Sequence, residues 1–539
     1  TITGSGGVTK EGSGVLTLAS ANSYTGNTVV NGGTLRIGEV GAIPSGFGNG
    51  TVTVNTNGTL DLNGGSHTIN GLNGAGIVDT LAGGSAVLTI GESGAGGTFT
   101  GSLRNTAGTL AIVKNGGGTQ TLAGTNTYTG GTTINAGTLQ IGNGGTSGNL
   151  GSGSLVNNAN LAFNLTGSNV FAGNISGSGT VTLANVGLNL WLTGNNTFTG
   201  NVQNNGGTLW ITNSSALGVG PKTVIAVGNF ASQFTQLRLA GNVNIDPSIT
   251  FRLSYSGGVL VNEAGTNTIQ GMVEMPNGGG NPLVVVNSGF LTLAGDVSTV
   301  PENNARTLTL DGPGDGLVSG NIYDNGPAAS VAKNGTGTWT LSGPGNSYSG
   351  TTAVNAGTLL ITGNNYGAGA VTVASGAAFG GTGTVGSAVT WQAGSTGVFS
   401  VSPSGGMNNT PFMVSGTVTL NNNAITVNVP GGTPLPVGTY LLMSAPTING
   451  AFTSTPVITG AGLAPNTFGS VVTADGQVNL VVAQSSVWVN NGNGNWSTPA
   501  NWNSNPNIPD AAGEYATFGV GSSLTTVTLD SPKSIGGIV

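Results

Sequence analysis

One stretch of this chain is written three times. Residues 112–142 read IVKNGGGTQTLAGTNTYTGGTTINAGTLQIG, and nearly the same text stands at residues 8–38 and, with one extra residue at Pro344 and Gly345, at residues 331–362. A worn copy occupies residues 190–212 (LWLTGNNTFTGNVQNNGGTLWIT). Self-similarity of this kind marks a repeat architecture, in which each unit buries its apolar face only by stacking on the next. Within a copy, short alternating runs such as TQTLAG and TLQI are punctuated by Gly- and Asn-rich corners. That is the pattern of short, half-buried strands joined by tight turns.

Composition narrows the class further. The 539 residues include 101 glycines, no cysteine and only 5% charged residues, yet 37% are hydrophobic. Glycine without a strict three-residue period excludes collagen, and it suits corners that need positive φ. No window sustains a 3.6-residue period, so almost no helix is expected. The net charge of −7, with ten basic residues scattered along the chain, excludes the basic stripe that a nucleic-acid partner requires. No apolar run is long enough to cross a membrane as a helix. No secretory leader is recognisable, and the chain opens on TITGSGG, a strand and a turn.

Three regions are expected. Residues 1–389 read as a β-solenoid array, with weaker wording between about 150 and 330, because each turn need match only its neighbours. Residues 390–484 have longer strands and more prolines, and PGGTPLPVGTYLLMSAPTINGAFTS within them reads as hairpin-connected structure forming a small β-rich terminal module. Residues 485–539 form an extended segment with its own wording.

The elements Lys-x-Gly-x-Gly, T-L-x-G, N-T/S-Y-T/S-G and N-x-G-T-L closely resemble the autotransporter-associated β-strand repeat, also called the passenger-associated transport repeat. The resemblance implies an all-β chain folded as a right-handed parallel β-helix, exported to the bacterial surface or beyond. It implies no activity and no cofactor. Residues 485–539, with W-x-N-x-x-G-N-G-N-W-S-x-x-x-N-W and a closing I-G-G-I-V, resemble the opening of such an array, not its end. The chain therefore reads as circularly shifted. It is either one period of a longer polypeptide or a subunit whose C-terminal segment completes the first turns of another copy. The surfaces that would meet are Thr1, Ile2 and Thr3 at one end. At the other they are Trp488, Trp496, Trp502, Phe518, Val527, Leu529, Ile535, Ile538 and Val539, the tryptophans serving as anchors.

Candidate chemistry is sparse. His67, the only histidine, sits in GGSHTING beside a glycine turn and reads as a solvated loop residue, with only Asp61 and Asp79 near it in sequence. A serine triad or a histidine metal site needs partners that are missing. The densest acidic cluster, Asp311–Asp315 in DGPGDG, reads as a Pro-Gly turn with a weak Ca²⁺ loop as its alternative. Lys10, Lys114 and Lys333 share one motif position, and by sequence alignment Ala184 takes it in the worn copy. The plain reading is a solvated or snorkelling side chain; the sharper one is an ammonium that satisfies corner carbonyls in each copy. Tyr24, Tyr128, Phe198 and Tyr348 share another position, for packing or, alternatively, as a platform for sugar rings. Asn31, Asn135, Asn205 and Asn355 suit corners and axial hydrogen-bond ladders. The reading is a non-enzymatic structural subunit of an extracellular fibre, with itself as head-to-tail partner. The alternatives are a monomeric adhesin binding surface glycans and, more remotely, a polysaccharide-active enzyme. Turns of about 20–25 residues rising about 4.8 Å each would give a rod of roughly 100–130 Å.

Overall fold

A computed structural model describes the chain except residues 228–234, 255–258, 277–279, 302–303, 404–409, 491, 506, 511–513, 519–525, 536 and 539, so Val539 lies outside the described residues. The chain forms two compact units, Thr1–Leu308 with Asn325–Pro327, and Thr309–Asp324 with Ala328–Val539. Each is a parallel β-solenoid. Among the described residues the one helical turn is Pro499–Asn501.

In the first unit, one ladder runs through His67–Ile69, Ser85–Ile90, Thr109–Lys114, Thr132–Ile134, Leu155–Asn157 and Ile175–Ser176, every pair parallel. A second runs from Thr119–Leu122 through Thr138–Ile141, Asn160–Phe163 and Thr180–Leu183 to Val202–Asn204. Ile112 pairs with Leu88 before it and Thr132 after it, so a turn consumes the 20 to 24 residues that the repeat text suggests. Strand alternation does the packing. Leu122, Ile141, Phe163 and Leu183 stand in register and are all buried, each stacked on its counterpart one turn away.

The solenoid changes cross-section near residue 170. The first ladder ends at Ile175–Ser176, and a new one starts at Gly167–Phe171. It continues through Leu188–Leu192, Gly207–Ile211 and Thr235–Ala240 to Val259–Ala264. The edge-on contact of Phe163 with Phe171, centroids 5.6 Å apart, closes the interior where the new ladder begins.

In the second unit the parallel ladders continue well beyond residue 390. Thr396–Ser400 pairs with Ala424–Val429, and that strand with Val457–Gly460. Val389–Trp391, Thr417–Thr419 and Thr447–Asn449 form a companion ladder. The expectation of hairpin-connected structure around residues 430–454 holds only in part: Thr447–Asn449 joins a parallel ladder, whereas Gly438–Ser444 pairs antiparallel with Gln477–Val487. The prolines Pro430, Pro434 and Pro436 fall in corners between rungs, where a missing N–H interrupts no ladder. Antiparallel strand pairing enters at Gln477–Val487, flanked by Gly438–Ser444 and Thr467–Ala474, and an isolated antiparallel bridge joins Trp488 to Trp502. Ser485–Val487 then pairs in parallel with Tyr515–Thr517, and that strand with Gly537–Ile538, so the last segment stacks as further turns.

Candidate functional site

The three motif lysines are buried, not solvated. Alternation places each on the inward side of its strand, and the glycine corner that follows turns carbonyls toward the ammonium. Lys114 Nζ donates to the carbonyls of Asn115 (2.6 Å), Gly116 (2.7 Å) and, one turn on, Ala136 (3.1 Å). Lys10 repeats this with Glu11, Gly12 and Gly32. Lys333 bonds the carbonyls of Gly335 and Ala356. Burial pushes the Lys333 amine down to about 8, against the opposing pull of Asp311 and Asp315, and it lowers Lys114 too. The sharper reading of these lysines is the observed geometry.

The asparagine of N-T/S-Y-T/S-G is a second staple. Asn126 Oδ1 accepts from the Leu103 amide in the turn before (2.8 Å), while its Nδ2 donates to the Asn149 carbonyl in the turn after (2.7 Å). Asn22 does the same between Ile2 and Ala42, Asn196 between Ile175 and Ala216, and Asn346 between Ile322 and Asn364. One side chain thereby satisfies backbone groups of two other turns, where an unmet buried group would cost about 1–3 kcal/mol. The motif tyrosines are buried, each sharing a hydroxyl bond with a threonine four residues on: Tyr24 with Thr28, Tyr128 with Thr132, Tyr348 with Thr352, all 2.6–2.7 Å. Packing is their role, and no ring face is left for a sugar. Asn135 and Asn355 donate to Asn115 and Asn334 one turn back, and Asn31 accepts from Asn55 one turn on. These are the axial ladders expected of them.

In the worn copy the lysine's corner carries no such donor among the described residues, and the next corner uses an asparagine. Register sets Leu183 opposite Asn204, as Lys114 stands opposite Ile134. The lysine position is therefore taken by Leu183, and Ala184 lies one residue further on. Asn204 is itself buried and donates to the carbonyls of Gly207 and Gln236. Asn157 and Asn262 make comparable carbonyl contacts at their own corners. Phe198 and Val202 replace the Tyr–Thr pair. Lys222 then reaches back, its Nζ 3.7 Å from the Phe198 ring centroid and bonded to the carbonyls of Phe198 (2.5 Å) and Leu217 (2.7 Å). The sequence reading singled out neither Lys222 nor Asn157, Asn204 and Asn262. Nothing local marks them, because their partners come from other turns.

The remaining candidates separate. His67 is buried rather than solvated, its Nε2 3.0 Å from the Leu62 carbonyl, and burial lowers its pKa. Asp61 and Asp79, opposite each other in a ladder and fully buried, are each held by an arginine, Arg36 and Arg104, at 2.7 Å. Asp311 and Asp315 accept from the backbone amides of Gly312 and Thr338. Among the described residues no three His, Cys, Asp or Glu side chains converge. Trp488, Trp496 and Trp502 are closed inside their own segment, where Trp502 meets Trp496 and Trp488 with centroids 4.9 and 5.1 Å apart, and Phe518, Val527 and Ile535 pack around them. That burial corrects their reading as anchors offered to another copy. Leu529 and Ile538 remain 62% exposed. At the other end Thr1, Ile2 and Thr3 are exposed, with Thr3–Gly4 paired to Ser23–Tyr24.

Two outward tryptophans were not anticipated. Trp191 and Trp210 are register partners stacked 5.1 Å apart at 10°. Arg238 covers the other face of Trp210 at 5.3 Å, and Val170 stands in register before Trp191. Stacked on Trp191 and covered by Arg238, the Trp210 ring is a poor platform for a pyranose.

The passenger-associated-transport-repeat family model matches residues 8–37, 112–141 and 331–361. The chain is also similar to the adhesin BmaC autotransporter of Brucella suis biovar 1 (strain 1330), 39% identical over 127 residues. That match covers 23% of this chain and 4% of the relative, so the chain corresponds to a small part of that protein's length. With the staples described above built into all three matched copies, this chain is a parallel β-solenoid that carries three copies of the passenger-associated transport repeat.

Proposed function

We propose that the chain is a non-enzymatic β-solenoid segment of an adhesin-type passenger displayed at a bacterial surface. One observation carries this reading: the polar side chains of the repeat motif end on backbone and side-chain groups of their own and adjacent turns. The lysine, the asparagine and the tyrosine of each copy are consumed in holding turns together, so the repeat supplies stiffness and no reactive group. The similarity to a protein named an adhesin, and the export that the repeat family implies, support a surface location. Latex beads coated with the chain should attach to cultured cell layers above the level of albumin-coated beads. Attachment at the albumin level would sink the adhesive part of the reading.

Head-to-tail assembly is the second reading, and it too rests on one observation. Leu16 is 40% exposed, although its register partners Leu35 and Leu60 are fully buried. A turn supplied by another copy would cover it. Electron microscopy across a dilution series separates the two: isolated particles at every concentration support the monomeric segment, and fibres lost on deleting residues 485–539 support assembly.

A further inference from the structure

The ladder that begins at Gly167–Phe171 begins with an open edge. Among the described residues this strand pairs only with Leu188–Leu192. Gly167 donates to the Gly187 carbonyl, and the Phe171 carbonyl accepts from Thr193. Backbone groups alternate sides along a strand, so the N–H and C=O of Ser168 and Val170 point the other way. The preceding turn does not meet them. The last link to it is Thr166 to the Gly145 carbonyl at 2.9 Å, and contact resumes with Leu155 to the Asn174 carbonyl at 3.4 Å. Between these points the two turns splay. They leave a groove of about 390 Å³ with Leu150, Gly151 and Ser152 on one wall and Val170, Phe171 and Gly173 on the other.

From this geometry we infer that the groove is a strand-addition site for an extended, uncharged peptide segment of a partner protein. Three features fix the occupant. Ladder bonds in a solenoid run along its axis, so the open edge looks into the groove and not out to the side. A single extended chain fits that access and the flank of another rod does not. The edge continues an existing parallel ladder, whose unmet donors and acceptors match a peptide backbone and little else. No Asp, Glu, Lys or Arg occurs between Asn115 and Pro221, so a charged segment would lose hydration there with nothing to compensate it. Proteins usually guard such edges with lysine or proline; this one is unguarded, and Val170 on it is 67% exposed.

The test uses the full chain and a fluorescein-labelled hexapeptide of alternating serine and valine. Fluorescence polarisation should saturate, and hydrogen exchange at the Ser168 and Val170 amides should slow with peptide while that at Asn169 stays unchanged. Val170→Pro removes one edge donor at a position where an edge strand tolerates proline, and it should weaken binding about tenfold, the worth of one backbone hydrogen bond. Val186→Pro, at another exposed position, serves as the folding control. A peptide with lysine in place of serine should not bind. The inference is overturned by unsaturable binding, by equal binding of the lysine peptide, by V170P binding as the wild type does, or by protection confined to other amides.

Discussion

The turn at residues 112–142 and the worn turn at residues 190–212 share a fold but not a chemistry. The first spends a buried ammonium on its corner carbonyls and a Tyr–Thr hydroxyl pair on its interior. The second uses Leu183, the amide of Asn204, the Phe198–Val202 pair and a lysine borrowed from residue 222. Only the asparagine staple, Asn126 in one and Asn196 in the other, is common to both. Inward corner carbonyls are therefore met by lysine in the first turn and by asparagine at the corner that follows the worn one.

The largest test of that contrast is Lys114→Ala. It leaves three corner carbonyls unmet and should cost about 3 kcal/mol of local stability, read as faster hydrogen exchange across residues 112–116 and 134–138. Leu183→Ala, at the register position that carries no staple, should leave the corner exchange of its own turn intact and cost only its apolar packing. Equal corner effects would erase the distinction between the two turns. Next comes Asn126→Ala, expected at about 2 kcal/mol because the Leu103 amide and the Asn149 carbonyl both lose their partner. Asn196→Ala should match it within error, since this staple is shared.

Smaller effects come from the hydroxyl pair. Tyr128→Phe strands the Thr132 hydroxyl and should cost about 1 kcal/mol, whereas Tyr128→Phe with Thr132→Val copies the worn turn and should be nearly neutral. A double change worse than the single one would show that the worn turn owes its stability to Lys222 instead. The smallest is a pH effect in the turn at residues 331–362. Lys333 has a folded pKa lowered to about 8 from 10.5, so its contribution is complete above the unfolded pKa and is lost as pH falls through 8. Tyr348 is raised to about 12 from 10.0, so its contribution is complete below 10 and is lost as pH rises through 12. Resistance to unfolding there should rise from pH 8 to about 10 and then decline. A monotonic fall over that range would contradict the assignment.

The solenoid was legible because its signals are local. Strands such as Thr358–Ile361 alternate within four residues, and the repeat spacing gives the turn length directly. The interior of the corner was not. Lys-Asn-Gly-Gly-Gly reads as a hydrophilic loop, and only stacking shows that its carbonyls face inward and draw the lysine with them. Placing Ala184 at the lysine position failed for a related reason, since the worn copy shifts by one residue between strand and corner and sequence spacing hides the shift. The open edge at Gly167–Phe171 has no sequence mark, because an edge is a property of the turn that fails to cover it. The tryptophans of residues 485–539 misled through their spacing, which suggests exposed anchors until Trp502 is seen to gather the other two.

The central claim is that motif side chains fasten one turn to the next. The amides of Leu103, Ile175 and Ile322 bond to the side chains of Asn126, Asn196 and Asn346, not to a neighbouring backbone carbonyl. Residue-resolved hydrogen exchange on the wild-type chain tests this directly. These three amides should be as protected as the ladder amides beside them. Exchange at the rate of exposed corner amides would contradict the account.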